Sequence, residues 1–224
     1  MTLAIHLQRD LQDLRKEILL LGNMVESAIN EAMVALNSRR PELAEKVLVE
    51  ASAIDEKEVH IEELCLKTLA LHQPVAVDLR FLVVVLKVNN DLERMGDFAE
   101  NLSNRALFLN SHPALSLPVE FTEQLPKHIH FMVRNALDSL IKLDIALAHE
   151  VIVKDDKVDD INRLMYDKLE NLMRRDPDMV TRAVHTLSCS RNLERIADLA
   201  TNIAEDVIFM VKGEVIRHQH TVNL

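Results

Sequence analysis

Residues 92–101 read Leu-Glu-Arg-Met-Gly-Asp-Phe-Ala-Glu-Asn, and residues 193–202 read Leu-Glu-Arg-Ile-Ala-Asp-Leu-Ala-Thr-Asn. The pattern LERxxDxAxN is therefore written twice, at an offset of 101 residues. At helical spacing, Leu92, Met95, Ala99 and Leu102 form one apolar stripe, and Leu193, Ile196, Ala200 and Ile203 form its counterpart. A duplicated core stripe accounts for those positions. It leaves Glu, Asp and Asn unexplained. Residues four apart lie one above the other on a helix, so Glu93, Asp97 and Asn101 share a line at the edge of the apolar stripe, as do Glu194, Asp198 and Asn202.

Working outward, helical periodicity runs nearly the length of the 224 residues, and its breaks divide the chain. The pattern predicts helices over about 5–37, 41–71, 74–110, 119–147, 150–174 and 178–212. Pro41, Pro74 and Pro177 open helices, where a missing N–H costs nothing, and Gly213 caps the last one. The stretch Ser111–Pro118, with two prolines and no stripe, is the linker. Short turns force neighbouring helices to be antiparallel. The expected fold class is all-α: two tandem up-down-up three-helix bundles related by an internal repeat. Its expected divisions are a first bundle over 1–112, a linker over 113–118, a second bundle over 119–213 and a tail over 214–224.

Composition agrees with helices and narrows the function. Three glycines and six prolines are too few for a loop-rich β fold, and aromatics are only 3%, so the core must be aliphatic. A net charge of −10 and no Lys/Arg run argue against nucleic-acid binding. Asp10 and Asp13 interrupt the N-terminal segment, which lacks the basic-then-apolar layout of a signal peptide. Uncharged apolar runs such as 81–86 and 207–211 fall short of the ~18–20 residues a bilayer span needs. These features predict a cytoplasmic protein, peripheral to a membrane at most. Cys65 and Cys189 form no metal-type pair and read as buried thiols.

The repeated acids carry the chemistry. Carboxylates at i and i+4 repel one another, and Arg94 and Arg195, one residue from their glutamates, project to another side. A cation between the acids resolves the repulsion, and hard oxygen ligands suit Mg, Ca, Mn or Fe, with Zn also possible. The fifth helix adds Asp155 and Asp159, another i, i+4 pair able to face Glu194 and Asp198 across an antiparallel contact. The second helix offers Asp55 alone, because position 51 is Ala and Glu50 is one step off the face. Solvated acid faces, or a duplicated structural Glu-Arg-Asp network, are the plainer explanations. His60 and His185 lie on helices near the acids but read first as packed or solvated, while His218 and His220 lie in the polar tail. Asp78 reads as a helix-dipole partner in the first turns of the third helix. Gly96, inside a helix, points to a close approach there.

At these residues the chain resembles the PhoU family of bacterial phosphate-signalling proteins. The likeness is carried by Gln73-Pro74 through Asp78-Leu79-Arg80, Leu92–Asp97, Asp155 with Asp159, Asn192–Asp198 and the closing Val211-Lys212-Gly213, and it spans both repeats in order. The resemblance implies two three-helix bundles and a cytoplasmic negative regulator of phosphate-starvation signalling. It implies an adaptor between a phosphate ABC transporter, through its ATPase, and a membrane sensor histidine kinase. Some members hold multinuclear Fe or Zn clusters through E/DxxxD motifs, and others show no metal. The candidate ligands carried over are Glu93, Asp97 and Asp55 in one half and Glu194, Asp198, Asp155 and Asp159 in the other. Ala51 departs from the pattern, which makes the second site the fuller one, and Ala197 stands where the first half keeps Gly96.

No Ser/His/Asp or Cys/His arrangement and no Gly-rich phosphate loop is legible, so the expectation is a regulator and not an enzyme. Phosphate is a poor direct ligand for acidic stripes unless a metal bridges them. Patches at the edge of the core fit a homodimer. The rivals are a ferritin-like carboxylate-bridged metal protein, which would need Glu-x-x-His motifs in a four-helix core, and a metal-free helical scaffold.

Overall fold

The computed structural model describes residues 2–214. It contains six long helices: α1 (Thr2–Asn37), α2 (Pro41–His72), α3 (Ala76–Asn110), α4 (Leu125–Lys142), α5 (Ile145–Arg175) and α6 (Val180–Lys212). A wide π-type turn, Glu120–Gln124, leads into α4, and a 3-10 turn, Pro177–Met179, leads into α6. Among the described residues there is no strand. The all-α class and the repeated three-helix arrangement are as expected from the sequence.

Each half packs its three helices on one another, and the halves meet through α3 against α6 and α1 against α4. The α3–α6 contact is antiparallel: Lys87 Nζ bonds Asp206 Oδ1 at 3.0 Å, Arg195 lies 5.5 Å over the Phe98 ring, and His185 stacks on Phe108 at 3.7 Å. The repeated apolar stripes fill the centre. Leu92, Met95, Ala99, Leu102, Ile196, Ala200 and Ile203 are wholly buried, and Leu193 nearly so. Both cysteines are buried thiols, pushed up to about 12 by desolvation. Residues His6–Asn37 of α1 contain a window of mean hydropathy 1.3, apolar and long enough to cross a bilayer by composition alone. Leu11, Leu14, Ile18, Leu21 and Val25 are instead spent on the bundle core.

Two boundaries differ from the sequence expectation. The turn between α4 and α5 falls at Leu143-Asp144, several residues earlier than the break predicted near residue 148. Leu143 adopts a left-handed backbone (φ 54°) that ends α4, and the Asp144 carboxylate accepts the Leu147 N–H at 3.1 Å to start α5. Pro74 does not open α3. Val75 is extended, Ala76 has φ 50°, and the helix begins at Ala76, so the proline shapes the turn and not the first helical residue.

The three glycines explain why such turns use Arg39, Gln73, Ala76 and Leu143 at positive φ, where glycine is ordinarily preferred. Of the three glycines only Gly213 serves as a left-handed cap, a role that Gln73 and Leu143 fill for α2 and α4. The other two glycines permit close helix contact. A β-carbon on Gly96 would stand 3.1 Å from Ile54 Cγ2 of α2, and one on Gly22 would stand 2.8 Å from Leu137 Cδ2 of α4. Gly22 is where the two halves approach through α1 and α4. We expect Gly22→Leu to destabilise the protein by about 1–3 kcal/mol through overpacking. Gly96→Ala should be nearly neutral, because the ~1 kcal/mol gain in helix propensity offsets the displacement of Ile54. Urea denaturation of the two variants beside the parent checks both.

Candidate metal centre

The antiparallel packing of α2 on α3 brings the first set of acids together. Asp55 comes from α2, and Glu93 and Asp97 come from successive turns of α3. Each offers a carboxylate oxygen such that all three lie within 4.8 Å of one another. Among the described residues no other group of three acids, histidines or cysteines closes to that distance. Asp55 and Asp97 are exposed and Glu93 is half-buried, so the site opens to solvent. Ala51 lies one turn before Asp55, and Glu50 turns away toward Lys46 at 3.9 Å.

In the second half α5 contributes Asp155 and Asp159, and α6 contributes Glu194 and Asp198. These four interact strongly without closing as tightly. Burial pushes the Asp155 carboxyl up to about 7, helped by the charges on Asp198, Asp159, Asp156 and Glu194. Its Oδ1 is buried and has no hydrogen-bond partner. Glu194 is raised by burial, then by Asp198 and Asp159, against the opposing charges of Arg191 and Arg195. Asp198 is raised by burial and then by Asp159. In the first half Glu93 is raised by burial, then by Asp97, Asp55 and Glu58, and Asp97 by burial and then Asp55. The first set is thus the closer and the second the more strongly desolvated.

The missing cations are as informative as the acids. Several surface acids elsewhere find partners: Asp13 has Lys16 at 2.9 Å, Glu31 has Lys46 at 2.6 Å, Asp138 has Lys142 at 2.9 Å and Asp160 has Arg163 at 2.7 Å. None of the seven candidate ligands takes part in an ion pair among the described residues. The motif arginines are directed elsewhere, Arg94 toward Asp91 at 3.9 Å and Arg195 over Phe98. An all-carboxylate donor set with an orphaned buried oxygen and no ion pair suits a hard or borderline divalent cation. These residues fit such a metal.

The histidines do not join. His60 is exposed, and His185 sits near the start of α6 against Phe108 and Arg105. His218 and His220 lie outside the described residues. Asp78 does occupy the first turn of α3. Arg80 reaches the other end of the α3–α6 contact, where its Nη1 would lie 3.7 Å from a β-carbon on Gly213. Glu58, whose charge bears on Glu93, was not singled out by motif spacing, although its position three residues after Asp55 on the same helix was a usable signal.

The PhoU domain family matches the chain twice, over residues 18–106 and 123–207. The phosphate-specific transport system accessory protein PhoU homolog of Aquifex aeolicus (strain VF5) is 38% identical over 95% of this chain and 96% of its own. The phosphate-specific transport system accessory protein PhoU of Escherichia coli (strain K12) is 32% identical over 93% of this chain and 86% of its own. The crystal structure of PhoU from Pseudomonas aeruginosa superposes with a TM-score of 0.90 at 34% identity, covering 92% of this chain and 99% of that one. This chain belongs to the PhoU family.

Asp155 gives the site a pH signature. Its folded-state value near 7 exceeds the ordinary 3.8, so between those limits the folded protein binds more protons than the unfolded chain. Stability of the metal-free protein therefore falls as pH rises through that window. Asp155→Asn removes the effect while keeping the shape. We expect the variant to match the parent near pH 4 and to exceed it by about 1–2 kcal/mol at pH 7–8, after allowance for solvent screening. Denaturation in the presence of a chelator at several pH values measures the difference.

Proposed function

We propose that this PhoU-family chain is a non-catalytic, cytoplasmic negative regulator of phosphate uptake and phosphate-starvation signalling. It acts as a homodimeric adaptor between the ATPase of a phosphate ABC transporter and a membrane sensor histidine kinase. The observation that carries the proposal is the pair of carboxylate clusters, one in each repeat, whose acids crowd one another and make no ion pair among the described residues. The relatives' names tie them to a phosphate-specific transport system, which supports the transporter as one partner.

Asp55, Glu93 and Asp97 would hold metal in the first half, and Asp155, Asp159, Glu194 and Asp198 in the second. A bound divalent cation, with Fe and Zn the leading candidates, would supply positive charge to the acidic faces and open positions for an oxyanion or a partner's carboxylate. The chain's own residues do the rest. They hold the acids at the rim of a rigid aliphatic core, on helices that also form the contact between the halves. A change in charge at either face therefore bears on the same α3–α6 packing that unites the molecule.

Two measurements test the proposal separately. In a strain lacking its own phosphate regulator, expression of this chain should restore repression of a phosphate-starvation reporter at high phosphate. Persistent derepression with the protein present would refute the regulatory role. Elemental analysis of protein purified without a histidine tag should show bound metal that falls by at least half in Glu194→Ala/Asp198→Ala. Equal metal in variant and parent would refute the second-half site.

A further inference from the structure

We infer that the apolar cavity between α1, α3 and α4, with Arg15 at its mouth, binds a small monocarboxylic acid carrying an apolar tail. The cavity encloses about 190 Å³, and none of the seven candidate metal ligands lines it. Its walls are Ile18 and Leu19 of α1, Phe81 and Val85 of α3, and Leu137 and Leu140 of α4. All but Leu19 are buried, so the interior offers an occupant apolar surface and no hydrogen-bonding side chain. A cavity of ~150 Å³ with Leu, Ile and Phe walls admits benzene, which sizes the tail at about six to eight carbons.

One group at the mouth selects the head. Arg15 is the only charged residue lining the cavity, and its guanidinium carbon lies 4.9 Å from the centre of the Phe81 ring. Among the described residues Arg15 enters no ion pair. The positions three and four away on α1 are Leu11, Gln12, Ile18 and Leu19, so its own turns supply no carboxylate. A guanidinium fork takes a carboxylate through two parallel hydrogen bonds, and one cation balances one negative charge. Charge complementarity therefore favours a monocarboxylate over a dianion such as phosphate. Beside Arg15, Ile141 and Leu143 of α4 complete the mouth, 48% and 44% exposed. Leu143 is the one large apolar side chain among the four non-glycine residues at positive φ. An exposed leucine on a backbone that glycine adopts without strain is unfavourable twice over, and a bound tail relieves the exposure. Because α1 and α3 belong to the first repeat and α4 to the second, the occupant touches both repeats at once.

The test is calorimetric titration of the full-length chain with octanoate at pH 7. Saturable binding of one octanoate per chain is expected, with a rise in Tm as the ligand is added. Octan-1-ol, which lacks the charge, and acetate, which lacks the tail, should each bind at least ~10-fold more weakly. Arg15→Gln should weaken octanoate about 10-fold and leave octan-1-ol unchanged. Ile141→Trp, which fills the mouth from an exposed position, should abolish binding of both. Octanoate affinity within twofold of the parent in Arg15→Gln, or undiminished in Ile141→Trp, would overturn the inference. So would a variant lacking residues 214–224 that binds octanoate at least ~10-fold more tightly, since the cavity would then belong to the chain itself. Co-sedimentation with phosphatidylglycerol vesicles that requires Arg15, in a chain that leaves octanoate unbound, would assign the face to a bilayer and overturn it equally. Circular dichroism of each variant separates lost binding from lost fold.

Discussion

The packing of α3 against α6 is the constraint on which the other elements depend. Each helix must bury itself on three neighbours, α3 on α1, α2 and α6, and α6 on α4, α5 and α3. A helix with so many partners has little free circumference. Small residues make the crowding possible: Ala99, Ala106, Ala197, Ala200 and Ala204 are all fully buried. Polar positions on such a helix survive only at the seams between contacts. Glu93 and Asp97 lie at the seam with α2, and Glu194 and Asp198 at the seam with α5. A seam is where a second helix can supply further donors, so core packing places the acids as firmly as any local preference does. The ion pair Lys87–Asp206, with the Asp206 carboxylate almost wholly enclosed, fixes the antiparallel register of the two central helices.

Much of this was legible from the repeated decapeptide. Periodicity of 3.6 residues separates the Leu and Ala positions from the Glu and Asp positions, and duplication implies two similar bundles. Gly96 was legible as a site of close approach, and the partner is Ile54. The boundaries were less so. The apolar run Leu140-Ile141-Lys142-Leu143 continues into Ile145 and Ala146 without a glycine or proline to mark the turn. Asp144 is the sole local cue, and as one aspartate in a charged chain it reads equally as a helix-surface residue until its side chain is seen to accept the Leu147 N–H. Gly22 was opaque for a different reason. A lone glycine in a long amphipathic helix shows that something is close, but its contact with Leu137 lies more than 100 residues away. That contact is a property of how the halves dock.

Glu58 and Asn89 show where motif reasoning stops. The repeated motif singles out Glu93 with Asp97 and Asp155 with Asp159, and it marks the first half as deficient because of Ala51. The spacing from Asp55 to Glu58 is three, equally compatible with one helical face, but the hydrogen bond that Glu58 accepts from Asn89 depends on what lies opposite. Only the α2–α3 register connects them. Neutral Ser190 and Asn162 make the matching contact in the second half, so both halves carry a hydrogen bond across the seam and differ in the charge upon it.

That difference makes the two acidic faces chemically unequal even though one motif builds both. The first gathers Asp55, Glu93 and Asp97 within 4.8 Å of one another at an open surface, so its repulsion is strong in distance but relieved by water. The second spreads its acids more widely yet desolvates them more, and Asp155 responds by holding its proton up to about 7. Charge in a confined site is relieved either by a cation or by a proton, and the two compete for the same oxygens. Near neutral pH a cation at the second face would compete with the Asp155 proton, while at the first face Glu93 and Asp97 are raised by burial and by neighbouring acids in a more open setting. The two copies of one helix face thus differ at single residues, Ala51 against Asp155 and Glu58 against Asn162.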